Sequence, residues 1–164
     1  MYRIDLLDFL RTGEFGPVKI GMTREQVVHE LGTPTDVSSD AEGSIYLYGS
    51  VEMGFIAGRL KFIHLHRFRD RPHGTRTCHI ISDGFRKWMS LKDAKSLLHE
   101  HGIDFNEKKD PWNPGQLLIT RAGVELYFDK KDRDGSIVIG LEMITSSESC
   151  GSSNIANGDR LDWT

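Results

Sequence analysis

Seven histidines, two cysteines and a few close-set acids are the residues of this 164-residue chain whose types could do chemistry. His64 and His66 would share one face of a strand, as two metal ligands can, whereas His99 and His101 fall two apart on a helical run and diverge. Zinc needs further ligands at a workable spacing, and neither histidine pair has them; Cys78 and Cys150 stand far apart in the chain. Solvated or hydrogen-bonding histidines are the simpler reading, and no metal or cofactor is expected. Asp129-Lys130-Lys131-Asp132-Arg133-Asp134-Gly135 is close to a calcium loop in composition alone. Its acids do not all fall at the first, third and fifth positions ahead of the glycine, and Leu141 occupies the twelfth position, where the bidentate glutamate belongs. Cys78 beside His79 would be a thiol–imidazole pair only if the two met, and neighbouring strand residues point to opposite faces. The chain holds no Gly-x-Ser-x-Gly, phosphate loop or dinucleotide fingerprint. The expectation is a protein that binds and does not catalyse.

The elements that would position a binding surface are easier to read. Ile4 to Thr12 suits a short helix ending at Gly13. Thr23 is an N-cap with Gln26 three residues on, as a capping box requires; Val27, Val28 and Leu31 form an apolar stripe, and Gly32 with Pro34 ends the helix. Ile45 to Tyr48, Val51 to Phe55 and Leu60 to Leu65 read as three antiparallel strands, the last two joined by a hairpin turn at Ala57-Gly58. The order then returns. Ser90 caps a helix with Leu91, Ala94 and Leu98 on one side. Strands follow at Leu117 to Thr120, Val124 to Phe128 and Ser136 to Met143, with turns at Arg121 to Gly123 and Asp134-Gly135.

Val51-Glu52-Met53-Gly54-Phe55 and Val124-Glu125-Leu126-Tyr127-Phe128 match as Val-Glu-(Met/Leu)-x-Phe, each after a Met-Ser/Thr helix start. The predicted class is therefore α+β: two tandem units, each a helix pair packed on one face of an antiparallel sheet, with the opposite face open. The first unit spans 1–68 and the second 84–145. Residues 69–83 are an Arg-rich connection, with Cys78 to Ile81 as an extra strand attached to the first sheet, and 146–164 are a flexible polar tail.

The formal charge of -3 and pI near 6.2 lack the basic field of a dedicated nucleic-acid binder. The alternative function, small-ligand or nucleic-acid binding through the groove between units, would use Arg67, Arg69, Arg71 and Arg76 around Phe68. A solvated linker paired with Asp70 and Asp83 is the favoured reading of that segment. Acids interrupt the N-terminal run where a signal peptide needs apolar residues, and nothing approaches the ~20 apolar residues of a membrane span. Two cysteines do not make a disulfide scaffold. A cytoplasmic protein with no membrane partner is expected.

The run Gly21-Met22-Thr23-Arg24-Glu25-Gln26-Val27, followed by Leu31-Gly32-Thr33-Pro34, resembles the helix of the SmpA/OmlA and beta-lactamase-inhibitor-protein-like superfamily, a largely bacterial group. The resemblance implies a helix pair on an antiparallel sheet, doubled in tandem in the inhibitor proteins, and a habit of binding another protein, as an inhibitor or immunity-type protein does. In the second unit Trp88 replaces the glycine before Met89, and no proline closely follows Gly102. The disulfide in each unit of the secreted inhibitors and the lipidated cysteine of the lipoproteins have no counterpart here, and the beta-lactamase target does not carry over.

A helix pair covers one sheet face, so the other meets solvent or a partner. With Val51, Met53, Phe55, Val124, Leu126 and Phe128 directed at the helices, Glu52, Glu125 and Tyr127 face outward. Ile45 and Leu47 are expected inward and Tyr46 and Tyr48 outward, joined by Lys61, Val138 and Glu142. Tyrosines among charges suit a protein interface, and Trp112 on its Pro/Gly loop is a second anchor. The partner is expected to be another protein or a second copy that buries the open face.

Overall fold

The computed structural model describes residues 2–65, 78–81, 84–85, 89–109, 116–128 and 142–146, with 78, 116 and 142–146 as backbone alone. Its elements are β1 (Tyr2–Asp5), α1 (Leu6–Thr12), α2 (Arg24–Leu31), β2 (Asp36–Ser39), β3 (Gly43–Tyr48), β4 (Val51–Ile56), β5 (Arg59–Leu65), β6 (Cys78–Ile81), α3 (Leu91–Glu100), β7 (Phe105–Lys109), β8 (Gln116–Thr120), β9 (Glu125–Phe128) and β10 (Glu142–Ser146). The class is α+β.

The helices start where their caps dictate. The Asp5 carboxylate accepts the Leu7 N–H at 2.8 Å from an extended backbone, so α1 begins at Leu6 and ends in left-handed Gly13. Ile4 and Asp5, expected in the helix, therefore belong to β1. Thr23 and Gln26 form the expected capping box: the Thr23 N–H donates to Gln26 Oε1 at 2.8 Å, and the Gln26 N–H to Thr23 Oγ1 at 3.3 Å. Ser90 accepts the Asp93 N–H at 3.0 Å, and Leu91, Ala94 and Leu98 are the buried residues of α3, as their spacing predicts.

Among the described residues one antiparallel sheet runs β2-β3-β4-β5-β10-β9-β8-β7. The two meanders each hold one more strand than expected, because β2 (Asp-Val-Ser-Ser) and β7 (Phe-Asn-Glu-Lys-Lys) are polar edge strands without an apolar alternation. The extra strand β6 does form, but it does not join this sheet. It pairs in parallel with β1, Tyr2 opposite Cys78 and Asp5 opposite Ile81. The described part of the last expected strand is Glu142–Ser146, and α3 is the one helix described in the second half. Residues 66–77, 82–83, 86–88, 110–115, 129–141 (with the Asp134-Gly135 turn and Val138) and 147–164 lie outside the described residues.

Buried residues of all three helices, among them Phe9, Val27, Leu31, Ala94 and Leu98, join Val51, Met53, Phe55, Leu126 and Phe128 in a single core. That core defines the inner face of the sheet. Directly opposed residues of an antiparallel pair share a face. Tyr48 pairs with Val51, Tyr46 with Met53, and Ser44 with Phe55, so all three of the β3 residues point inward. The expected parity of this strand is thus reversed: Tyr48 is fully buried, Tyr46 packs on the core, and Ile45 and Leu47 face out. The cause is the two-residue Gly49-Ser50 turn, which places the residues flanking it opposite each other.

A β-bulge settles β5. Phe55 pairs with Leu60 but Gly54 with Phe62, leaving Lys61 as the extra residue. Leu60, Ile63 and Leu65 can then all be buried despite their uneven spacing. No helix among the described residues is long and apolar enough to cross a membrane.

Candidate binding face

Across the outer face, register aligns one row of residues through the sheet. Asp36 lies opposite Leu47, Leu47 opposite Glu52, and Glu52 opposite His64. The row continues through Ile144 and Glu125 to Ile119. Of the expected outward residues, Glu52, Glu125 and Tyr127 stand on this face, and Glu142 pairs with Tyr127. Lys61 sits at the bulge. Tyr46 and Tyr48 belong to the core. Trp112 and Arg67, Arg69, Arg71 and Arg76 lie outside the described residues.

Side chains on the face restrain one another. The Tyr127 hydroxyl donates to the Glu125 carboxylate on the same strand face. His64 Nδ1 stands 3.9 Å from Glu52 Oε2, with both side chains mostly buried. The Phe62 ring lies over Gly54, where any Cβ would collide with it. An aromatic ring covering a cross-strand glycine fills the gap a missing side chain leaves in the sheet. Leu117, opposite Tyr127, is buried on this face, so the exposed apolar surface concentrates on β3 and β4. There Ile45 is 37% and Ile56 51% exposed, with half-buried Leu47 and Phe62 beside them.

These apolar residues escaped a parity reading that put aliphatic side chains inside. The signal was present in Gly49-Ser50: a two-residue turn forces Tyr48 to the face of Val51 and so Ile45 and Leu47 to the other. Inside, the Tyr48 hydroxyl donates to the Gly32 carbonyl at 3.1 Å, and burial, aided by Tyr46, pushes the phenol up to about 12.

Both sheet edges are blunted. On β2 the Asp36 carboxylate accepts the Val37 N–H at 2.8 Å, occupying a donor on that strand. On β7 three charged residues follow one another, Glu107, Lys108 and Lys109, and Glu107 pairs with Lys95 of α3. Short, charged edges disfavour strand addition. Chemically the face offers apolar contact and carboxylates. Among the described residues no group of three or more His, Cys, Asp or Glu could hold a metal ion, and His99 packs against the Phe105 ring with centroids 5.1 Å apart.

No protein-family model and no curated protein matches the chain. Among solved structures it is similar to an extracellular protein containing a SCP domain from Bacillus anthracis str. Ames. The identity is 8% and the TM-score 0.40, over 80% of this chain and 45% of that one. The chain thus spans under half that protein's length, and a likeness at this level carries neither fold nor function.

Proposed function

We propose that the chain is a cytoplasmic, non-enzymatic protein-binding module of inhibitor or immunity type, which docks another protein on the outer face of its sheet. The observation that carries this reading is the apolar cluster of exposed Ile45 and Ile56 with half-buried Leu47 and Phe62 on the face opposite the helices. Large apolar side chains gathered on a face that no described element covers mark an interaction surface, where scattered ones would not. The blunted edges favour the face over the rim.

The tandem arrangement belongs to the same proposal. The sheet order is supported as two four-strand meanders, β2 to β5 and β7 to β10, meeting at the antiparallel β5–β10 pair. Each meander follows a helix capped by Thr23 or Ser90, and each half begins with a short strand, β1 or β6, that pairs with its counterpart.

The test is capture from source-cell lysate with Ile45→Asp/Ile56→Asp as control, since both side chains are exposed and the charges leave the core intact. A protein held by the wild-type chain and lost by the variant, with circular dichroism unchanged, supports the placement. Equal capture by both removes the face from consideration.

A further inference from the structure

We infer that the element this face accepts is an amphipathic helix whose apolar side chains are flanked by lysine or arginine. The inference rests on the reading of the outer face as the docking surface and names the chemistry of its partner. Three observations lead to it.

Any element lying on a sheet face must bring its own satisfied backbone, because the sheet's peptide groups are already paired. With β2 and β7 blunted, a single strand has no edge to complete. A helix closes its own hydrogen bonds and is the element that packs on sheets, as α2 and α3 do on the inner face here.

Charge comes next. The aligned row sets Asp36, Glu52 and Glu125 among Leu47, His64 and Ile119, three carboxylates to one imidazole, while Arg59, opposite Ile56, and Lys108, opposite Leu117, stand outside this row. The complement of carboxylates interspersed with aliphatic side chains is cations interspersed with aliphatic side chains.

Spacing agrees. Asp36 and Glu52 are two strands apart, about 10 Å at the usual interstrand distance. Seven helical residues rise about 10.5 Å and return to the same face. A helix laid across the strands can therefore place cations at i and i+7 over Asp36 and Glu52, with its apolar stripe on Ile45, Leu47 and Ile56.

The test uses the full chain and two helical peptides of about eighteen residues, long enough for a lasting helix. One is leucine/lysine and the other leucine/glutamate in the same 3.6-residue pattern. Amide chemical shifts locate binding, and fluorescence anisotropy at two salt concentrations measures it. The expected result is shifts along β3, β4 and β9, with the lysine peptide at least about tenfold tighter than the glutamate peptide and weakened by salt. Glu52→Gln/Glu125→Gln should cut that preference to about threefold or less; Asp36→Asn, on the exposed edge, is the second variant should the first lose its fold. Equal affinity of both peptides on the face overturns the cationic assignment and leaves the face reading standing. Shifts confined to other surfaces, or no binding of either peptide, overturn both.

Discussion

Replacing Tyr48 with phenylalanine tests the reversed parity of β3 directly. The side chain is fully buried, and its hydroxyl donates to the Gly32 carbonyl at the end of α2. Tyr48→Phe keeps the ring and removes that bond, which should cost about 1–2 kcal/mol at neutral pH. Tyr48→Ala also empties a ring-sized space, and should cost about 3–5 kcal/mol. Alkaline titration supplies a second, independent signature. The native phenol titrates at about 12 against 10.0 for the ordinary value, so between these pH values the unfolded chain releases a proton that the folded chain keeps. Stability from this group is therefore full below pH 10 and declines as pH rises to 12, by up to about 3 kcal/mol. Urea unfolding of wild type and Tyr48→Phe from pH 8 to 12 reads both effects, and the difference between the two curves cancels the other titrating groups. The two proteins should differ at pH 8, converge as pH climbs past 10 and cross by about pH 12. A Tyr48→Phe variant as stable as wild type at pH 8, with curves parallel to pH 12, would mean an outward tyrosine and would refute the register argument.

Gly54→Ala should lose about 1–3 kcal/mol by displacing the Phe62 ring, and most of that loss should vanish in a Phe62→Ala background; strictly additive losses in the urea midpoints would separate the two residues. Ala57 carries a positive φ of 50° in the hairpin turn before Gly58, so Ala57→Asn should raise the melting temperature through a gain of about 0.5–1 kcal/mol, and a lowered value would contradict a turn of this type. Ser44 Oγ is buried without a hydrogen-bond partner, so Ser44→Ala should be neutral or stabilising by up to about 1 kcal/mol; a clear destabilisation in thermal melts would point to a bond at that oxygen.

Much of the architecture was legible in short-range chemistry. The Thr23-Gln26 capping box, the Ser90 cap, Gly13 and the Ala57-Gly58 hairpin are local devices: the atoms that form them are a few residues apart, so the chain alone determines them. The Val-Glu-x-x-Phe strands were legible for the same reason, since alternation within one strand assigns its faces once the core side is known. Tyr48 shows the limit. Its strand carries aliphatic and aromatic residues on alternate positions, either set could be buried, and only register against Val51 decides. Phe62 and Ile63 needed the bulge at Gly54, a shift that no pattern inside β5 betrays. The polar strands β2 and β7 form because a neighbour supplies hydrogen bonds, not because their own side chains seek a core. The same holds for β6: its apolar run identified a strand, but pairing with β1, and not with the main sheet, was decided across more than seventy residues of chain. Local sequence thus determined the helix caps, the hairpin turn and the apolar strands, and tertiary pairing decided the polar edge strands and which face each strand presents, because a one-residue change of register exchanges the two faces entirely.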